Sequence, residues 1–188
     1  MDRDGFRSFN RFMIWMWHAG LGGPMNLTHR LTGRIMVLGT VGRKSGEMRR
    51  TPLNYSPCGD SILALAGFGG RTDWLKNLQA HPFAEVWLPD GSWLARAEEV
   101  QDPQERLQAI RSVLQDSGFA AKVFAGIDPW HCDQDTLRRH TEPYRAVRLR
   151  LLEPLPEPEE MKVGRAARTG LGVGLGLSLA WAWFSRKD

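Results

Sequence analysis

The chain has 188 residues, with 25 lysines and arginines against 21 acidic residues and a formal net charge of +4 at pH 7. This length suits one domain with terminal extensions. The modest positive charge is dispersed and no nucleic-acid-binding motif is present, so an anionic ligand or lipid headgroups are the expected partners rather than nucleic acid. The two cysteines, Cys58 and Cys132, form no C-x-x-C pair and the histidines lack metal-ligand spacing, so neither a disulfide framework nor a metal site is predicted.

The N-terminal residues predict an amphipathic helix over 6–18, because their apolar side chains recur at three- and four-residue steps. Asn10, Arg11 and His18 interrupt the apolar residues, unlike a signal peptide, so we expect a protein that is not secreted. Two alternatives remain open for this helix. It packs on the folded domain, or its tryptophans, phenylalanines and arginines lie among lipid headgroups.

Six short runs rich in β-branched and aromatic residues are bounded by turn residues and predict strands. They cover residues 35–40, 49–55, 61–66, 84–88, 93–100 and 144–152. Turns are expected at 57–60 and 89–92 from their proline, glycine and aspartate content. Six strands joined in this way suggest a barrel, and the fold class is therefore mainly β with peripheral helices (α+β).

Two helices are predicted between the strands. Asp73 is expected to cap a short helix that carries Trp74 and Asn77 and ends before Pro82. A second helix over 103–115 follows Asp102 and shows apolar residues on one face, which is typical of a packing helix.

The most informative motif is a cationic turn bounded by glycines, which we call the cationic turn: Gly42, Arg43, Lys44, Ser45 and Gly46. The glycines let the backbone bend sharply and bring its amides close to a ligand, while the charged side chains and the hydroxyl supply donors for an anion such as phosphate. Arg49 follows closely and adds a further cation, and Pro52 comes three residues later. The alternative is a charged hairpin turn that only faces water.

Residues 35–88 join this turn to further pieces in a fixed order. An apolar strand precedes the turn, a Gly-Gly pair stands at Gly69 and Gly70, and a W-x-x-N-L-x-x-x-P pattern runs from Trp74 to Pro82. In this order the pieces resemble the deazaflavin-dependent nitroreductase and quinone reductase family, a branch of the split-barrel flavin-binding oxidoreductases. The resemblance implies a six-stranded antiparallel split β-barrel of the FMN-binding type. It also implies binding of coenzyme F420, with the phosphate-bearing tail against the cationic turn and the ring over the barrel.

The resemblance assigns the coenzyme contacts to twelve residues: Gly42, Arg43, Lys44, Ser45, Gly46, Arg49, Pro52, Gly67, Phe68, Gly69, Gly70 and Trp74. Two features depart from the family pattern. Phe68 stands where many relatives have a basic residue, and residues 116–126 contain no tyrosine. Tyr55, Ser56, Tyr144 and His131 are possible proton donors, and water or Tyr55 is the expected one.

The function implied is an F420H2-dependent oxidoreductase that transfers hydride to an apolar acceptor, such as a quinone or a nitroaromatic compound. We expect it in the cytoplasm, associated with the inner face of the cell membrane. The alternative is a non-catalytic module on the same barrel that holds FMN, heme or a lipid; FMN and heme are less expected than F420.

Four segments are predicted along the chain. Residues 1–30 form the N-terminal helix and linker, 31–153 the split-barrel domain, 154–168 a linker rich in proline, glutamate and basic residues, and 169–188 an apolar, glycine-rich tail. The sixteen uncharged residues 169–184 would make a helix of roughly 24 Å, short of the roughly 30 Å hydrocarbon core of a bilayer. A tail inserted in or lying on a membrane, a disordered tail and a tail folded onto a partner all remain open.

Overall fold

The computed structural model describes residues 3–19, 33–118, 121–122 and 126–156. Helix α1 (Arg3–His18) precedes three strands, β1 (Ile35–Val41), β2 (Met48–Cys58) and β3 (Ser61–Ala66). A 3-10 turn (Gly69–Arg71) leads into α2 (Asp73–Ala80), and β4 (Phe83–Leu88), β5 (Gly91–Glu99) and α3 (Pro103–Gln115) follow. The described part of the chain ends with α4 (Gln134–His140) and β6 (Arg145–Leu155).

The six strands close into an antiparallel barrel in the order β1-β2-β3-β6-β5-β4, with β4 pairing back onto β1. The register of the first hairpin places Ile35 opposite Asn54 and Val41 opposite Met48. The predicted barrel with peripheral helices is thus confirmed, and all six strands lie where the sequence placed them, with ends that shift by up to three residues.

The barrel interior is filled by alternate residues of the strands, because successive side chains of a strand point to opposite faces. Met36 and Leu38 of β1 face the interior, where Trp74, with 6% of its surface exposed, and other apolar residues of α2 close one end of the core. Val37 faces outward and packs against Trp17 of α1. Both faces of β1 are therefore buried, which explains its continuous apolar sequence.

Helix α1 packs on the barrel through Met13 and Trp17, which are 5% and 1% exposed. This confirms the packing alternative for that side of the helix. Trp15 is 49% exposed on another side, and contact of the helix with lipid headgroups stays a prediction. Within the described ranges, no helix combines the length and the apolarity needed to cross a bilayer. The predicted apolar tail, 169–184, lies outside the described residues.

Two predicted turns are shorter than expected because the strands run further. Strand β2 continues to Cys58, which pairs with Ser61, so a two-residue turn of Gly59 and Asp60 joins β2 to β3. Gly59 has a φ of +61°, the conformation that such tight hairpin turns require. Pro57 is tolerated in the strand because β2 pairs only with β3 beyond Asn54, which leaves one edge without ladder bonds. In the same way, β5 begins at Gly91, inside the predicted turn 89–92.

Strand β6 extends to Leu155, two residues past the predicted end of the domain at 153. Glu153 and Pro154 pair with Leu94 and Trp93 of β5, beyond a register shift at Leu94 and Ala95. The first two residues of the predicted linker, Pro154 and Leu155, therefore belong to the sheet, since both pair with β5. The division of the chain into four segments stays a prediction.

Candidate active site

The cationic turn connects β1 to β2 and is closed by its own backbone. The amide of Gly42 donates to the carbonyl of Glu47 at 2.8 Å, and the amide of Gly46 donates to the carbonyl of Gly42 at 2.8 Å. A Cβ on Gly42 would lie 2.9 Å from the hydroxyl of Ser45, so glycine allows the side chain to fold across the turn. Gly46 has a φ of +71°, which glycine adopts without steric cost.

Arg43 fastens this turn to helix α2. Its guanidinium donates to Asn77 Oδ1 at 3.0 Å and pairs with the carboxylate of Asp73 at 3.0 Å, while its backbone amide also donates to Asn77 Oδ1 at 3.2 Å. Asn77 is itself buried and donates to Thr40 Oγ1 at 3.2 Å. Asn77 therefore braces the cationic turn against helix α2.

The prediction that Asp73 caps helix α2 is wrong. The N-cap residue is Thr72, whose side chain makes no capping hydrogen bond, and Asp73 is the first residue of the helix. Its carboxylate instead pairs with the guanidinium of Arg43 at 3.0 Å, which is a charge-assisted hydrogen bond to a different segment of the chain. The aspartate thus contributes to the site by holding the turn against the helix.

The other side chains of the cationic turn are directed to the surface. Lys44 and Ser45 are exposed, and among the described residues Lys44 has no ion-pair partner. Arg49 is 58% exposed and pairs with Glu47 at 2.6 Å, an exposed contact of small net worth that a ligand can replace. Lys44, Ser45 and Arg49 are consequently available to an anion, whereas Arg43 is engaged by the protein.

A glycine loop, Gly67 to Gly70, follows β3 and leads into α2. Because Arg43 of the cationic turn binds Asp73 at the start of α2, the loop and the turn lie at the same end of the barrel. Gly69 has a φ of +56°, and a Cβ there would overlap the carbonyl oxygen of Pro143. Gly70 has open space around it, and Phe68 is 69% exposed. The structure thus brings the glycine loop and the cationic turn together as two parts of one candidate site.

Two of the predicted contact residues lie away from these surfaces. Trp74 is buried in the barrel interior, where its ring anchors α2 and offers little surface to a ligand. Pro52 pairs with Val37 on β1, three residues along β2 from Arg49. Directly opposed residues share a face of the sheet, so Pro52 lies on the outer face that α1 covers. Contact of either residue with a coenzyme stays a prediction.

Tyr55, the candidate proton donor, lies far from the turn. It is seven residues along β2 from Met48, a distance of about 23 Å in a strand. Its side chain is buried in the barrel interior, and this burial raises its pKa above the ordinary value, with an opposing contribution from the positive charge of Arg34. Tyr55 is thus protonated at neutral pH, but the structure does not bring it together with the cationic turn.

A second tyrosine lies beside the glycine loop. A Cβ on Gly67 would be 3.8 Å from Cζ of Tyr144, the carbon that carries the hydroxyl. Burial raises the pKa of Tyr144, so this side chain also stays protonated at neutral pH. The sequence offered Tyr144 only as one of several possible proton donors and did not place it beside the loop, because it is far from the loop along the chain and only the pairing of β6 with β3 brings the two together.

A sequence-family model described as F420H(2)-dependent quinone reductase matches residues 11–122, which is more than half of the chain. The chain belongs to this family. The matched region contains the second half of α1, both parts of the candidate site and helix α3.

Two curated relatives are 33% identical to this chain over 78 residues. They are the F420H(2)-dependent quinone reductase Rv1261c of Mycobacterium tuberculosis and the putative F420H(2)-dependent quinone reductase Mb1292c of Mycobacterium bovis. Each match covers 39% of this chain and 52% of the relative, so the chain spans about half the length of the curated relatives it matches.

Among solved structures, the conserved hypothetical protein Rv2991 of Mycobacterium tuberculosis superposes with a TM-score of 0.51 at 18% sequence identity. The match covers 72% of this chain and 88% of that protein. At this level of identity the likeness concerns the fold, and it agrees with the barrel described above.

Proposed function

We propose that this protein is an F420H2-dependent oxidoreductase that transfers hydride to an apolar acceptor, a quinone or a nitroaromatic compound. The observation that carries the proposal is the cationic turn, which presents an exposed lysine without an ion-pair partner among the described residues, at the same end of the barrel as a glycine loop. Membership of the quinone reductase family supports the same reaction class.

The residues present fit a phosphate-bearing coenzyme. Lys44 and Arg49 supply two positive charges, the hydroxyl of Ser45 lies between them in sequence, and Gly46 has no heavy atom within 4 Å of where its Cβ would be. Arg49 donates to Ser45 Oγ at 3.5 Å, so these two groups already lie close enough to share one anion. In this proposal Arg43 positions the turn through α2 and does not contact the phosphate.

When bound, reduced F420 supplies the hydride, and the protein has to hold the acceptor beside the ring and exclude water. The glycine loop offers backbone without side chains at Gly67 and Gly70, which allows a flat ring to approach closely. Exposed Phe68 supplies apolar surface for an acceptor at the same loop. Of the two tyrosines, Tyr144 lies at this loop with its proton in place at neutral pH, whereas a role for Tyr55 requires a ring deep within the barrel.

An apolar acceptor also accounts for the proposed location at the inner face of the cell membrane. Trp15 is exposed on α1, whereas Met13 and Trp17 of the same helix pack against the barrel, and tryptophan favours the interface between lipid and water. The apolar tail would add a second contact. Flotation of the full chain with phosphatidylglycerol vesicles tests this part, and a protein that stays entirely in the unbound fraction would contradict it.

The reaction is tested by titrating the protein with F420 and following tryptophan fluorescence, then measuring oxidation of F420H2 that depends on menadione. Lys44→Ala should weaken F420 binding by about tenfold or more, the worth of one charge-assisted bond. Lys122→Ala is the matched control, since it removes a lysine that pairs with Asp128 away from the turn. If neither quenching nor menadione-dependent oxidation is seen, the protein is not such an enzyme.

The non-catalytic alternative predicts a different result from the same preparation. Native mass spectrometry of protein purified from its own host would then show a heme, an FMN or a lipid in place of a deazaflavin. Recovery of F420 supports the reductase.

A further inference from the structure

A groove of about 470 Å³ lies between the first half of α3 and the end of α4. We call it the arginine groove, after the side chains that line it: Arg106, Leu107 and Ile110 from α3, and Arg138, Arg139 and Glu142 from α4 and the residues after it. Its volume falls within the range of pockets that hold small molecules. None of these residues belongs to the cationic turn or to the glycine loop.

The placement of Arg106 is not explained by the stability of its helix. Arg106 is the fourth residue of α3, at the N-terminal end, where the helix dipole disfavours a positive charge. The two acidic residues nearest to Arg106 in the sequence bind other groups. Asp102 accepts from two backbone amides at the start of the helix, and Glu105 pairs with Arg148. Within the described part of the chain, the guanidinium of Arg106 has no acidic partner.

The two arginines on the facing helix are also weakly engaged. Arg138 lies 4.0 Å from Asp135 in an exposed pair, and Arg139 donates to the hydroxyl of Thr136 at 3.2 Å. Glu142 contributes one negative charge to the rim, against three positive charges. The groove therefore carries a net charge of +2 and favours an anion.

The floor of the groove is apolar. Leu107 and Ile110 contribute only the 9% and 2% of their surface that is exposed, and exposed Pro103 and the aliphatic stems of the arginines supply the rest of the apolar lining. An inorganic ion would contact only the rim. A ligand with an apolar body would cover this floor while its anionic group binds the arginines.

We propose that the arginine groove binds a small amphiphilic anion, which carries a carboxylate or phosphate group on an apolar body. The anionic group is held by Arg106 and Arg139, and the apolar body rests on Pro103 and on the exposed edges of Leu107 and Ile110. Such a ligand occurs either free in solution or as a lipid within a membrane, and the experiment distinguishes these sources.

The test uses the full chain and octyl phosphate, followed by NMR of the methyl groups of Leu107 and Ile110. We expect saturable shifts of both methyl groups, and little change with inorganic phosphate at the same concentration. The double variant Arg106→Ala/Arg139→Ala should bind octyl phosphate at least tenfold more weakly. The matched control is Arg96→Ala/Arg150→Ala, which removes two exposed arginines that face each other on β5 and β6 and should leave the affinity unchanged.

Glu142→Gln provides a second variant, whose expected effect is a gain of affinity. It removes the one negative charge that lines the groove, so octyl phosphate should bind more tightly. The proposal is overturned if the two methyl groups do not shift, or if the groove and control double variants bind equally well. If octyl phosphate fails to bind while phosphatidylglycerol vesicles bind through the same arginines, the groove is a membrane-docking surface and not a small-molecule site. Loss of F420 binding in Lys44→Ala leaves this proposal unaffected, so the two proposals fail independently.

Discussion

The cationic turn and the glycine loop both depend on glycine at positive φ, but their surroundings differ. Gly46 in the turn has a φ of +71° and no heavy atom within 4 Å of the position a Cβ would take. Gly69 in the loop has a φ of +56°, and the carbonyl oxygen of Pro143 occupies that position. The first glycine faces open space, whereas the second is packed against the chain.

Glycine is therefore required for a different reason at each of the two positions. In the turn, glycine permits a bend and leaves the backbone open on the side where Lys44 and Ser45 are exposed. In the loop, glycine permits the segment before β6 to approach closely, which fixes the loop beside Tyr144. We infer that the turn is shaped for an incoming anion and that the loop is shaped by the fold.

The largest expected effect contrasts alanine at the two glycines. Gly69→Ala should destabilise the protein by about 2–4 kcal/mol, because it adds a clash with a backbone carbonyl to the strain of a positive φ. Gly46→Ala should cost about 1 kcal/mol, which is the conformational term alone. Urea unfolding followed by tryptophan fluorescence measures both values. Equal losses of stability would mean that the loop relaxes away from Pro143 and that the contrast between the two segments is wrong.

The next effect separates bracing from ligand binding within the turn. Arg49→Ala should weaken F420 binding by about 1.5–3 kcal/mol, the range for a charge-assisted hydrogen bond, and leave the stability within about 0.5 kcal/mol of the parent protein. Arg43→Ala should lower the stability by about 0.5–1.5 kcal/mol, because it removes the guanidinium hydrogen bond to buried Asn77 and the pair with Asp73, while the backbone amide of residue 43 still donates to Asn77 Oδ1. Fluorescence titration and urea unfolding of both variants provide the measurements. An Arg49 variant with unchanged F420 affinity would place the phosphate elsewhere.

The barrel could be predicted from the sequence because its signals are local. Each strand is a short run of β-forming residues between turn residues, and each of the six predicted runs forms a strand in the structure. Their ends could not be predicted as well, because pairing with a neighbouring strand decides them. Pro57 is the clearest case, since proline usually indicates a turn and here lies in β2 where one edge is unpaired.

The candidate site was predictable only in part, for a related reason. The cationic turn is contiguous in sequence, so its charges could be identified directly. The role of Asp73 could not, because capping a helix and pairing with Arg43 look alike until the turn and α2 are placed side by side. Tyr144 was missed as a neighbour of Gly67 because only the barrel closure brings them together.

Ionisation of the two tyrosines sharpens the contrast between the two ends of the barrel. These are the only tyrosines of the chain, so absorbance at 295 nm reports both without interference from others. Burial raises the pKa of each, and we expect both to ionise above the ordinary value of 10.0. The pKa of each tyrosine is higher in the folded protein than in the unfolded chain. Its contribution to the free energy of unfolding is therefore complete below pH 10, and it is lost as the pH rises through the pKa of the folded protein. Tyr55→Phe isolates the titration of Tyr144, and a midpoint at or below 10 would show that the loop leaves this tyrosine in water.

The smallest expected effect concerns the acid that competes for Arg49. Glu47 pairs with Arg49 at 2.6 Å, and both side chains are more than half exposed, so water screens the pair and its contribution to stability is small. Glu47→Gln should leave the free energy of unfolding unchanged within about 0.5 kcal/mol. It should tighten F420 binding by up to about 1 kcal/mol, because Arg49 no longer has to exchange a carboxylate for the phosphate. Repeating the titration at high salt provides the control, since screening should reduce the difference in F420 affinity between the variant and the parent protein. Weaker binding by Glu47→Gln would show instead that Glu47 positions Arg49 for its ligand, as Asp73 positions Arg43.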